Sequence, residues 1–166
     1  MNVDASISIE SRPFEACAST PTLPDFNESI ARRLGEMAAN IAVRRGLPIA
    51  VSVVSQRSPL FYCTLDGNRT EDSESIRRKQ NTVFRFRKSS HDVGRMFAQA
   101  GWSLESQGLS ARDYALDGGS VPLSLVDTGI VGVMTVTGLD CARNHELAVE
   151  IVRCYLDEVG PDFARD

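Results

Sequence analysis

GGSVPLSLVDTGIVGVMTVTGLDCARNHELAVEIVRCYLDEV, running from Gly118 to Val159, decides the fold. Val121, Leu123 and Leu125 alternate with Pro122 and Ser124, the period of a half-buried strand. Pro122 has no N–H for a ladder, so this strand begins there or lies on an edge. Asp127-Thr128-Gly129 is a short loop whose glycine can take positive φ, which signals a hairpin. From Ile130 to Thr137 apolar residues fall on both parities: Ile130, Met134 and Val136 on one, Val131 and Val133 on the other. Such a strand is covered on both faces and belongs in the middle of a sheet. Thr137-Gly138-Leu139 then breaks it, and a helix follows with Asp140 or Asn144 as N-cap. Leu147, Ala148, Ile151, Val152, Tyr155 and Leu156 form its apolar stripe, with Glu146, Glu150, Arg153 and Asp157 opposite.

Toward the N-terminus, Asp25 and Glu28 have the spacing of a capping box. Ile30, Leu34, Met37, Ala38 and Ile41 recur at helical spacing, and Arg44-Arg45-Gly46 closes that helix. Ile49 to Val54 and Leu60 to Leu65, turned through Arg57-Ser58-Pro59, read as a second antiparallel hairpin. Asp72 or Ser73 caps a helix carrying Ile76, Gln80, Val83, Phe84 and Phe86. Ser89-Ser90-His91-Asp92 breaks it and caps another, which stops at Gly101. Residues 103 to 117 are polar, with Leu104, Leu109, Tyr114 and Leu116 as anchors. The order α-β-β-α-α-β-β-α predicts an α+β domain: one antiparallel sheet, two hairpins and a fifth strand, flanked by helices.

The 166 residues fit one domain over residues 25–166. Residues 1–24 hold Pro13, Pro21 and Pro24 among small and polar residues and read as a flexible or loosely docked arm. A net charge of −4 gives no global attraction to nucleic acid or to an anionic membrane. No apolar run nears the ~18 residues of a membrane span. The opening MNVDASISIESRP lacks the basic and apolar regions of a secretion signal, so a cytoplasmic chain is expected. Cys17, Cys63, Cys141 and Cys154 contain no CxxC pair; free thiols without structural zinc are expected.

The chain has no Walker motif, no GxSxG and no HExxH. Its histidines are His91 and His145 alone, and His, Cys, Met and Tyr are the side chains that ligate haem iron. His145 falls early in the last helix, where the dipole disfavours imidazolium and leaves a neutral ring able to ligate or accept a proton. The plainer reading is a hydrogen-bonding histidine at a helix start, and His91 reads as a surface cap residue. Cys141, also near that helix start, is the one thiol worth testing. Arg77, Arg78, Lys79, Arg85, Arg87 and Lys88 form a run without acids. Some of them could converge on an anion; equally, the run could be a solvated face. Gly118, Gly119, Thr137 and Gly138 lie where backbone N–H groups could approach a ligand, or where glycine simply permits tight turns.

Several of these motifs occur together in one family. Arg78-Lys79 with Asn81-Thr82-Val83, then Ser89-Ser90, Gly118-Gly119 with Pro122, Gly132, Thr137-Gly138-Leu139 and Asn144-His145 follow in order. From about Asn27 to Val159 the chain resembles the haem-degrading-type domain family of GlcG-like and HbpS-like proteins. It is most similar to that family's branch of small uncharacterised cytosolic proteins. The resemblance implies a layered α-β-α domain with about five strands, homo-oligomers, and haem as a ligand of some relatives. It places Arg78, Lys79, Asn81, Gly118, Gly119, Thr137, Gly138 and His145 as ligand-binding candidates. Three positions depart from the family's pattern. His91 stands where an aromatic is usual, Asn144 where an acid is usual, and Asp117 where some members carry histidine. Two functions stay open: a binding module for a small anionic ligand, haem among the candidates, and an enzyme degrading haem or another small anionic metabolite.

Overall fold

A computed structural model describes residues 20–68 and 72–160. Its elements are α1 (Glu28–Arg45), β1 (Ala50–Ser55), β2 (Pro59–Thr64), α2 (Asp72–Phe86), α3 (Ser90–Ala100), β3 (Ser120–Leu125), β4 (Gly129–Thr137) and α4 (Cys141–Val159), with one 3-10 turn at Glu105–Gln107. The sheet has four strands in the order β2-β1-β4-β3, every pair antiparallel. β4 is central and the proline-bearing β3 is an edge, as the hairpin pattern predicts.

The expected fifth strand is absent among the described residues. At the outer side of β3, Leu23 makes a single parallel bridge to Leu125 and donates its N–H to Ser124 at 2.8 Å. Pro24 follows directly and has no N–H to continue a ladder. Leu23 is buried, so the end of the stretch read as an arm is docked here. The rest of the arm, residues 1–19, lies outside the described residues, as does residue 71 before α2, where that helix's cap was sought.

The capping signals divide in an instructive way. Gly46 and Gly101 close α1 and α3 at φ 62° and 66°, and Ser89 caps α3 by accepting from Asp92 N–H at 3.1 Å. α1, however, is capped by Asn27, whose Oδ1 takes the Ile30 N–H at 3.0 Å. Asp25 is two residues too early to reach that donor and accepts from Phe26 N–H instead. Asp140, not Asn144, caps α4, accepting from Arg143 N–H.

The two faces of the sheet differ in chemistry. Val51, Val53, Val121, Leu123, Met134 and Val136 face α1 and α4 in the main core. Leu34, Val51, Val53, Leu123 and Met134 are fully buried there, each worth roughly 1.5–3 kcal/mol relative to exposure. The other parity presents Ser52, Ser120, Thr135 and Thr137 toward α2 and α3. Gln80 of α2 donates to Ser52 Oγ at 3.0 Å, and Ser90 of α3 accepts from Ser120 N–H at 3.1 Å. Residues 103–117 cover α3: Leu104, Leu109, Tyr114 and Leu116 pack on Val93 and Phe97.

Gly119 sits where β3 begins, at φ 132°, and a Cβ there would stand 2.2 Å from Val136 O. Gly119→Ala combines backbone strain of about 1–3 kcal/mol with overpacking of similar size. We expect it to lower unfolding free energy by roughly 3 kcal/mol in urea titration; a change within about 0.5 kcal/mol, the range of ordinary surface substitutions, would refute this packing.

Candidate functional site

Where β4 ends, the chain turns through Thr137-Gly138-Leu139 into α4. Gly138 has φ 119°, and a Cβ on it would lie 2.4 Å from Pro48 O. Asn144, buried in α4, locks the corner from the other side. Its Oδ1 accepts from Leu139 N–H at 3.0 Å and its Nδ2 donates to Leu139 O at 2.9 Å. The sequence reading treated Asn144 as a cap; it is a latch across the corner.

Beside this corner a cleft of about 470 Å³ opens between the ends of β4 and α4, the Pro48 and Gly67 turns, and α2. Lys79, Thr137 and Gly138 line it, together with Asn144, Asp117, Cys141 and Ser75. Lys79 lies on the buried stripe of α2 with Ile76, Thr82 and Val83, and is only 3% exposed. Its Nζ donates to Thr137 Oγ1 at 3.4 Å. Asp117 stands exposed at the rim, where Cys141 Sγ donates to its Oδ1 at 3.5 Å.

The remaining candidates fall elsewhere. Arg78 donates to Ala111 O and Asn81 to Asp113 O, beside Thr82 to Ala115 O and Arg77 to Arg112 O. These four side chains strap residues 111–115 onto α2, and Arg78 and Asn81 line no part of the cleft. Gly118 and Gly119 lie behind it and admit the first turns of α4: a Cβ on Gly118 would be 2.2 Å from Cys141 O. Asp117, Ser75 and Pro48 were missed as lining residues. They carry only local turn or helix signals, and the corner gathers them from three separate segments.

The two histidines meet. His91 in the first turn of α3 and His145 in α4 stack with ring centroids 4.5 Å apart and planes at 17°. The Nδ1 of each is buried without a hydrogen-bond partner among the described residues. His145 packs behind Gly118. Burial pushes its pKa below the usual 6.5; neighbouring His91 adds to this, and Asp92 opposes it.

The HbpS-like haem-degrading-protein model matches residues 26–153. A UPF0303 protein of Paraburkholderia phytofirmans is 37% identical over 147 residues, covering 88% of this chain and 87% of that one. The chain belongs to the HbpS-like family. Two solved structures share the fold: a double mutant of Streptomyces reticuli HbpS (18% identical, TM-score 0.65, covering 91% of this chain and 98% of that one) and a PduOC–haem complex (18%, 0.66, covering 80% and 95%). Among the described residues, no helix is long and apolar enough to cross a membrane.

A histidine whose folded pKa is depressed stays neutral when folded and binds a proton more readily when unfolded. Its contribution is therefore complete above about pH 6.5, the unfolded value, and is lost as pH falls from there toward the lower folded value. Urea midpoints measured from neutral to mildly acidic pH should fall for the parent and fall less for His145→Phe, which keeps a stacking ring without the charge. Parallel curves would remove His145 from that linkage.

Proposed function

We propose that this HbpS-like chain is an oligomeric binding protein for a small anionic ligand, seated in the cleft between α2, the Thr137–Leu139 corner and the start of α4. Lys79 carries this reading. Removing an ammonium from water costs several kcal/mol, and here one is buried at the wall of an open cleft rather than on the solvated side of α2. With the Thr137 hydroxyl it presents donors to an anion. Assembly is supported by β2, which leaves an open strand edge in the sheet order and has Tyr62 half exposed.

Haem enters through the relatives' names, and the donor set here does not match it. Of the side-chain types that hold haem iron, only Cys141 lines the cleft, and its Sγ is engaged by Asp117. Met134 and Tyr155 are buried on the opposite, α1/α4 side of the sheet. His91 and His145 turn ring faces toward one another, whereas two histidines on one iron must aim nitrogens at it from opposite sides.

Adding inorganic phosphate or propionate to ¹⁵N-labelled full-length protein should shift amides of residues 137–144. Lys79→Met should weaken that binding about tenfold or more, the size of one charge-assisted hydrogen bond. Equal affinity in a folded Lys79→Met protein would place the site elsewhere. Light scattering should report a species heavier than the 18.1 kDa chain; a monomer at all micromolar concentrations would sink the oligomer.

A further inference from the structure

We infer that the ligand of this cleft is a small monoanion carrying a hydrogen-bond donor, a hydroxyl or an amine, close to its acid group. This rests on the anion-binding reading and adds the class of ligand.

The cleft is ordered by charge. Lys79 is buried in it and bonded to Thr137, and Ser75 of the same helix also lines it. Asp117 stands at the exposed rim. Among the described lining residues these are the one cation and the one carboxylate. An acid group is drawn to Lys79, so the opposite end of a short ligand meets Asp117. A carboxylate offers about four acceptor positions, and the Cys141 thiol uses one of them, on Oδ1. The rest can accept from a ligand hydroxyl or amine. A second acid group on the ligand would face a like charge, which is unfavourable in a partly desolvated cleft.

The other polar groups nearby are occupied. The Asn144 amide is used in both directions by Leu139. The Arg143 N–H at the start of α4 is taken by Asp140. Selectivity therefore falls on Lys79, Thr137, Ser75 and Asp117. The apolar side chains on the walls are Pro48 and Leu139, too few to cover the two faces of a porphyrin. A porphyrin's paired propionates would also bring a second anion toward Asp117.

The test compares propionate, L-lactate, L-alanine, succinate and haemin on the ¹⁵N-labelled full chain. Lactate or alanine, each propionate plus one donor, should bind about tenfold tighter than propionate, in line with a hydrogen bond to a charged acceptor. Succinate should bind more weakly than either, and haemin should give no Soret change that depends on Lys79 or Asp117. In Asp117→Ala, an exposed substitution that leaves the core intact, lactate and alanine should fall to the level of propionate, and succinate should gain. If propionate binds through Lys79 but the donor adds nothing, or if succinate matches lactate, the inference on ligand class is overturned and the anion site stands. A haemin Soret band lost in Lys79→Met or Asp117→Ala also overturns it. If no acid shifts any amide, the anion site falls as well.

Discussion

Nothing larger than hydrogen fits where the Gly118–Gly119 turn meets α4 and β4. A Cβ on Gly118 would overlap the Cys141 carbonyl, and one on Gly119 the Val136 carbonyl, each at 2.2 Å. That closeness sets the height of the α4 N-terminus above the sheet. It brings Asn144 within reach of Leu139, which fixes the corner, and the corner forms one wall of the cleft. The same approach presses Gly118 against His145 and leaves that ring stacked on His91 with little water around it. Packing, the site's geometry and one perturbed titration thus descend from a pair of absent side chains.

The sheet divides its labour between its faces. The α1/α4 side is a dry aliphatic core and supplies most of the burial energy. The α2/α3 side buries hydroxyls, which is tolerable only where each finds a partner. Ser120 and Thr135 share a 2.7 Å bond, Ser52 accepts from Gln80, and Thr82 donates to Ala115 O at 2.7 Å. At Thr137 this polar layer reaches the cleft and meets the Lys79 ammonium. A buried cation is easier to hold at the edge of a satisfied polar layer than inside an aliphatic one.

Local signals were legible in the sequence because their causes are local. The alternation of β3, the two-sided apolar β4, the hairpin turns and the Gly46, Gly101 and Ser89 caps each depend on a handful of adjacent residues. The helical spacing of α4 is of the same kind. What the sequence concealed depends on distant partners. Lys79 reads as one more charge in a basic run, and only the position of β4 shows that it lies on the inner stripe of α2. Arg78 and Asn81 look like anion-binding groups, but their acceptors are carbonyls more than thirty positions later. The stacking of His91 on His145 joins two helix starts that no spacing rule connects. The missing fifth strand has a local cause, Pro24 after Leu23, that was legible and was outweighed by the family's pattern.

The three positions that depart from that pattern all cluster around this seam, and they differ in what they change. His91 in place of an aromatic keeps a flat ring against His145, so packing is preserved while a titratable group is added. Asn144 in place of an acid can donate and accept at once, and it does both across Leu139; a carboxylate could only accept. Asp117 alone faces the cleft, and it sets a negative charge at the rim opposite the buried Lys79. The first two departures preserve the scaffold that HbpS-like proteins share, and the third alters what that scaffold can hold. A backbone common to proteins below a quarter identity can therefore carry different ligand chemistry, because the fold fixes where the corner stands and the lining side chains fix what it recognises.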